Sequence, residues 1–499
     1  MVRKKRTRYQ KRGRFQPSVC NIGNRMTFEE CELAVLRQAV DENEQHRGQK
    51  LRNEGDVLQL VHIVEEFLEA KQLLCYGGTA INNILPKSVQ FYDYTTEIPD
   101  YDFFSAHALE DAKELADVYV RHGYTNVEAK SGVHQGTYKV YVNFIPMADV
   151  TQIHAGLFQS LSKQSISMAG IRYVPANFLR MSMYLELSRP QGDVSRWEKV
   201  LKRLTLLNKY HPVQMPTHDS CDDVVFQRQA ETLEPDLGAR IFNAVRNVFA
   251  EVGVVFFGGY ANALYSRYSQ RRRRQEEIPD FDVLCENPLR CVTLLTERLA
   301  DLGITKVSVV EHKAIGELIP ESVEFKVGKD TIAFLFKPIA CHNYNTITID
   351  HREIRVATVD TMLSFYLAFL FIDDPMFEPF RNRHLCLVNF LFELERKNRL
   401  AQTGLLRRFT PMCYGNQETM ESIRAKKAAK FAELKGNRNS QEYQEWFLNY
   451  RPSDKTGTEK QPKTEKQPKT ETTTAQKTQT KKNKKKLPLQ PFWNPFALD

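Results

Sequence analysis

Apolar and polar residues along this chain follow the same rhythm twice. In VLQLVHIVEEFLEAK (57–71) apolar residues recur every three or four positions, which predicts an amphipathic helix. An apolar run and a glycine turn follow in LLCYGGTAINNILP (73–86), then the acidic phrase IPDYDFF (98–104). A second helical stretch, LEDAKELADVYVRHG (109–123), leads into GTYKVYVNFIPMADVT (136–151), which reads as strand. The same order then returns as DLGARIFNAVRNVFAEVG (236–253), VVFFGGYANALY (254–265), IPDFDVL (278–284), CVTLLTERLADLG (291–303) and DTIAFLFKPIACHNY (330–344). Even the exits match, IRYVPANFLRMSMYLEL (171–187) with IRVATVDTMLSFYLAFL (354–370). The offset is 181 residues from Gly77 to Gly258, 180 from Asp100 to Asp280 and 192 from Asp149 to Cys341. Five ordered segments exclude coincidence. They predict two tandem copies of one α/β (α+β) unit, with mixed sheets and flanking helices.

Charge and composition alter the picture at the ends. Of a net +9, residues 1–15 hold eight Lys/Arg and no acid, while 455–486 hold eleven Lys against three Glu. Without these arms the body is net acidic. Basic arms suit contact with nucleic-acid phosphates, or they serve as solubilising tails. The repeated TEKQPK of the tail buries almost nothing apolar and is expected to be disordered. Beyond it, Phe492, Trp493 and Phe496 sit among prolines, as a docking peptide or as a plain end. The expected organisation is a basic arm over 1–25, a first domain over 26–215, a second over 222–400, a helical segment over 401–452 and a basic tail over 453–499.

Nine cysteines are widely spaced and form no C-x-x-C pair. This argues against a zinc ribbon or a disulfide framework and favours a reducing compartment. The longest apolar run, MLSFYLAFLFI (362–372), stops at Asp373 and is too short to span a bilayer. A soluble intracellular protein without a membrane partner is expected. The twelve histidines show no metal-ligand spacing such as H-E-x-x-H.

The candidate chemistry lies in copy one. Asp100 and Asp102, one residue apart on a strand, share a face. Asp149, on a neighbouring strand, adds a third carboxylate. Such a group repels itself unless cations stand between its members, and hard oxygen ligands suit Mg²⁺ or Mn²⁺. Gly77 and Gly78 allow backbone N–H groups at a helix N-terminus to approach a triphosphate. Together these parts suit in-line nucleotidyl transfer, with two ions on Asp100, Asp102 and Asp149. The plain alternative is three unrelated surface aspartates.

GGTAIN (77–82), IPDYDFFS (98–105) and PMADVT (146–151) resemble the signature of the nucleotidyltransferase superfamily that includes DNA polymerase β. With the duplication and RWEKVLKRLTLLNKYHP (196–212), the stretch 55–400 resembles the poly(A) polymerase catalytic subunits of large cytoplasmic DNA viruses, of giant-virus and poxvirus type. The resemblance implies addition of AMP from ATP to an RNA 3′ end, with Gly77, Gly78 and Thr79 at the nucleotide. It implies a viral protein of the host cytoplasm (the viral factory), with packaging in the virion as a further option, working as a homodimer or with a separate processivity subunit. Lys199, Lys202 and Arg203 form a basic group on the following helix, and the resemblance turns them toward phosphate. Two departures stand out: many members carry Gly-Ser where this chain has Gly77-Gly78, and a longer loop separates the glycines from the aspartates.

Copy two keeps Gly258, Gly259, Asp280 and Asp282, but PMAD (146–149) becomes PIAC (338–341). Cys341 is thus the expected third position, and a neutral thiol is a poor Mg²⁺ ligand, so the second copy is expected to be degenerate. Arg271–Arg274 reads as an RNA-tracking or a solvated loop. Tyr76, Phe91 and Tyr92 read as core rings rather than base-stacking ones. Two other readings stay open: a nucleotide second-messenger synthase or similar template-independent transferase, and a non-catalytic RNA-binding scaffold.

Overall fold

In a computed structural model of the chain, residues 57–92, 99–214, 233–269, 280–372 (317 excepted) and 381–452 are described, with isolated positions between 31 and 43 and at 221. The arm 1–25, the 271–274 run, the tail 453–499 and its aromatic end lie outside the described residues.

The helix Val57–Lys71 buries Leu60, Ile63, Val64, Phe67 and Leu68, the stripe its rhythm predicts. It covers a sheet built from β1 (Leu74–Cys75), β2 (Tyr101–Ser105), β3 (Val127–Ser131), β4 (Thr137–Val142), β5 (Ile145–Gln152), β6 (Ile166–Met168) and β7 (Ile171–Tyr173). A second sheet holds β8 (Val255–Phe256), β9 (Phe281–Leu284), β10 (Val307–His312), β11 (Ser322–Val327), β12 (Asp330–Phe336), β13 (His342–Ile349) and β14 (Arg352–Ala357). Two short late strands, β15 (Cys413–Tyr414) and β16 (Asn449–Tyr450), complete the set.

The first sheet runs β16-β3-β4-β5-β2-β1-β7-β6 and the second β10-β11-β12-β9-β8-β14-β13-β15. Without β15 and β16 the two orders are the same. So are the directions: β2–β5 and β1–β7 are parallel, as are β9–β12 and β8–β14, and the other pairs are antiparallel. The fold is mixed α/β, two mixed sheets with flanking helices. The equivalent exit helices, Ala176–Leu187 and Val359–Phe369, pack on each other, and Phe178 meets Phe371 edge-on at 5.5 Å. Val359–Phe369 is buried along its whole length, so the longest apolar run is core. No helix among the described residues is long and apolar enough to cross a membrane.

Three findings depart from what the sequence leads one to expect. The 401–452 stretch contains two helices, Met420–Leu434 and Gln441–Phe447, but also gives β15 to the edge of one sheet and β16 to the edge of the other. Disulfides do occur: Cys341–Cys413 and Cys221–Cys386. Their partners lie 72 and 165 residues apart, a proximity that spacing along the chain does not show. The case for a reducing compartment loses that support. Finally, Cys341 is not the counterpart of Asp149. Asp102 stands beside Asp149 across β2–β5, whereas Asp282 stands beside Phe334 across β9–β12. Strand β12 ends at Phe336, and the PIAC motif begins only after it, at Pro338.

Candidate active site

Strand β1 ends at a tight turn. The Tyr76 N–H donates to the Asp102 carbonyl (2.9 Å), and the chain enters the helix Gly77–Ile84 with Gly77 at φ +72°. That φ favours glycine, and a Cβ there would run into Asp102 Oδ2. No side chain caps this helix N-terminus, so its leading N–H groups are left without a capping partner, as an anion site requires. Thr79 is buried, and its hydroxyl donates to the Asp100 carbonyl (2.7 Å), tying the helix to the aspartate strand.

The acidic group spans two strands. Asp102 and Asp149 are direct neighbours in the β2–β5 register, and Asp100 lies two residues before Asp102. Strand β4 extends the row, since Lys139 pairs with Asp149 in register and its Nζ lies 3.1 Å from Asp149 Oδ2. Desolvation, then the charges of Asp100 and Asp149, push the Asp102 carboxyl up to about 7. Desolvation and Asp149 raise Asp100 to about 6. Asp100 is nonetheless the exposed member of the group, so water screens its charge. Lys139 opposes both shifts, and Arg196, 3.3 Å from Glu186, opposes that of Asp102.

Of the basic group on the helix Trp197–Tyr210, Arg203 reaches the site. Its guanidinium lies 4.7 Å from the Phe91 ring centre and 5.4 Å from that of Tyr92, and it donates to the Tyr92 hydroxyl (2.7 Å). A Cβ on Gly78 would strike Tyr92 Oη and come within 2.9 Å of Arg203 Nη1, so the arginine stands over the glycine turn. Asn82 Oδ1 accepts from the Phe91 and Tyr92 N–H groups (2.8 and 3.0 Å) and holds both rings there. Lys202 is turned to solvent and pairs with Glu198 (2.7 Å); Lys199 is likewise exposed. Tyr76 packs flat on Phe104 at 3.9 Å, as a core ring. Lys139 carries no motif that marks it in the sequence, and Arg196 and Asn82 lie within RWEKVLKRLTLLNKYHP and GGTAIN without being singled out there. Only the strand alternation around Lys139 could have placed it on the face of Asp149.

Copy two is built alike but wired differently. Gly258 again crowds Asp282, and Gly259 opens the short helix Gly259–Tyr265. The row that reads Lys139–Asp149–Asp102 in copy one reads Glu324–Phe334–Asp282 here. Asp280 is buried and paired with Arg383 Nη2 at 3.4 Å, both side chains being almost inaccessible.

Among the described residues, no three or more His, Cys, Asp or Glu side chains converge as a ready-made metal cage. The donor set of copy one still fits a hard divalent cation. It is all oxygen, burial and then its crowding hold two carboxyls above their usual range, and a lysine nitrogen already sits against the third.

Sheet order, glycine turn and carboxylate row make a mixed α/β fold with an acidic site beside a tight turn. The particular likeness is to viral poly(A) polymerases. Residues 62–193 match the family model for the poly(A) polymerase catalytic subunit. A protein of African swine fever virus (isolate Pig/Kenya/KEN-50/1950), provisionally named a poly(A) polymerase catalytic subunit, is 29% identical over 167 residues, 32% of this chain and 35% of its own. One of Acanthamoeba polyphaga mimivirus with the same provisional name is 28% identical over 160 residues, 31% of this chain and 27% of its own. The matched segment thus spans about a third of these relatives' length or less. The crystal structure of the Megavirus polyadenylate synthase superposes with a TM-score of 0.71 at 17% identity, over 92% of this chain and 89% of that one. The fold is therefore shared nearly end to end, and the sequence likeness centres on the first copy.

Proposed function

We propose that this chain is a template-independent RNA nucleotidyltransferase, a poly(A) polymerase, in which an RNA 3′-OH attacks the α-phosphorus of ATP, AMP is added and pyrophosphate leaves. The observation that carries the reading is the Asp102–Asp149 register beside Gly77, with Asp100 two residues earlier on the same strand line. The viral likenesses support poly(A) synthesis in particular. The uncapped helix N-terminus at Gly77 and Gly78 takes the triphosphate, and Arg203 adds a fixed positive charge beside it. Asp149, on the strand next to Asp102, orients the attacking 3′-OH and receives its proton. Two Mg²⁺ or Mn²⁺ ions on the three carboxylates would neutralise triphosphate charge and acidify that hydroxyl. The rest is positioning, which in-line transfer depends on.

Copy two is the catalytically silent partner in this reading, because Phe334 stands where a third carboxylate is needed and Arg383 occupies Asp280. The site of action would be the host cytoplasm. Light scattering of the pure chain tells its two candidate assemblies apart, twice the chain mass for a homodimer and the single mass for one that relies on a separate subunit.

The test is incubation of the pure chain with Mg²⁺, labelled RNA and each NTP in turn. Ladders with ATP alone are expected, lost in Asp102→Ala and kept in Asp282→Ala. Cyclic or 2′-linked products would make it a second-messenger synthase, and silence a binding scaffold.

A further inference from the structure

Three carboxylates in a partly desolvated corner repel one another whenever no divalent ion is present. Copy one answers that repulsion with Lys139. Its Nζ is 3.1 Å from Asp149 Oδ2, and the two side chains are only 25% and 15% exposed. The lysine belongs to the same cross-strand row as Asp149 and Asp102, and its charge opposes the rise at both Asp100 and Asp102.

The sheet itself does not require this cation. At the same register position of the second sheet stands Glu324, whose own carboxylate is met by His312 (3.1 Å), Lys326 (3.0 Å) and Thr331 (2.5 Å). There Arg383 stands on Asp280, with 12% and 3% exposure. The two devices differ in kind. A buried guanidinium on a buried carboxylate is a lasting pair, because its release would strand both charges. An ammonium on a flexible four-carbon stem at the edge of solvent is a point charge that can swing into water.

We propose that Lys139 is a positioning residue whose ammonium acts as an exchangeable counter-ion, holding Asp149 while the site lacks a divalent cation and leaving when one binds. The proposal rests on the reading of Asp100, Asp102 and Asp149 as a metal site. The exchange is purely electrostatic: the ammonium keeps its proton and moves to water, and the metal takes the carboxylate it leaves.

Mn²⁺ binding by the full chain, followed by electron paramagnetic resonance, tests the exchange without any turnover, alongside melting midpoints in EDTA. Lys139→Met should bind Mn²⁺ roughly three- to fivefold more tightly, the scale of one part-exposed ion pair, and melt lower than wild type in EDTA. Lys139→Arg should restore the EDTA midpoint and bind Mn²⁺ no more tightly than wild type; the tighter binding of Lys139→Met is the readout that a merely structural lysine would not move. If Lys139→Met binds Mn²⁺ equally or less well while Asp102→Asn loses binding, the exchange is wrong and the metal site stands. If wild type and Asp102→Asn bind Mn²⁺ equally poorly, the metal site fails and the exchange falls with it.

Discussion

The raised carboxyl of Asp102 makes the metal-free protein behave unusually with pH. In the unfolded chain this group titrates near 4; in the folded protein, burial and its two acidic neighbours push it up to about 7. A carboxyl raised on folding is held more tightly by its proton in the native state. Its stability contribution is therefore complete below pH 4 and is lost as pH climbs through 7. Three units at about 1.4 kcal/mol each give about 4 kcal/mol as a ceiling, or on the order of 5 °C in melting midpoint for a chain of this size. Asp100, at the exposed rim, adds a screened and smaller share in the same direction. The assay compares wild type with Asp102→Asn in EDTA at pH 5 and pH 8. The amide cannot ionise, so only about a third of the gap should be open at pH 5, one unit into the window, while at pH 8 the variant should be the more stable by several degrees. Saturating Mg²⁺ should close the gap from the wild-type side at pH 8 and do little at pH 5, where it must displace protons. Parallel melting curves for the two proteins across this range, or a variant that is less stable at pH 8, would refute the account of a crowded and desolvated acidic row.

Gly77→Ala should cost about 1–2 kcal/mol from its left-handed φ alone, and it should also abolish RNA extension by displacing Asp102, both readable from one preparation by melting and by a ladder assay. Arg203→Met should raise the KM for ATP roughly tenfold, the scale of one lost charge-assisted contact, with an unchanged circular dichroism spectrum; an unchanged KM would remove Arg203 from the nucleotide site. Arg383→Met removes the arginine from a buried ion pair and should cost about 3–5 kcal/mol in chemical denaturation, much of which the added Asp280→Asn should return.

The duplication was legible because five segments kept their order, and sheet order is a consequence of that order. The third carboxylate of copy two was not legible in the same way. PMAD and PIAC look alike, yet one lies within β5 and the other begins beyond the end of β12. Register depends on which strand lies beside which, and local similarity carries no information about that. A warning was present in the numbers: the 192-residue offset from Asp149 to Cys341 stands apart from the 180 and 181 of the other motif positions. Cys341 instead belongs to the disulfide with Cys413 on β15, a strand that no periodicity in 401–452 announces. The proposal of a silent second copy gains firmer grounds from the correction. A thiol leaves a metal site short of a ligand, but a phenylalanine flanked by a glutamate, with an arginine already seated on the first aspartate, leaves no place for the ion. Lys139 was hidden for the same reason. In sequence it is one lysine in an alternating strand, and only the three-strand row makes it the neighbour of the carboxylates whose repulsion it offsets.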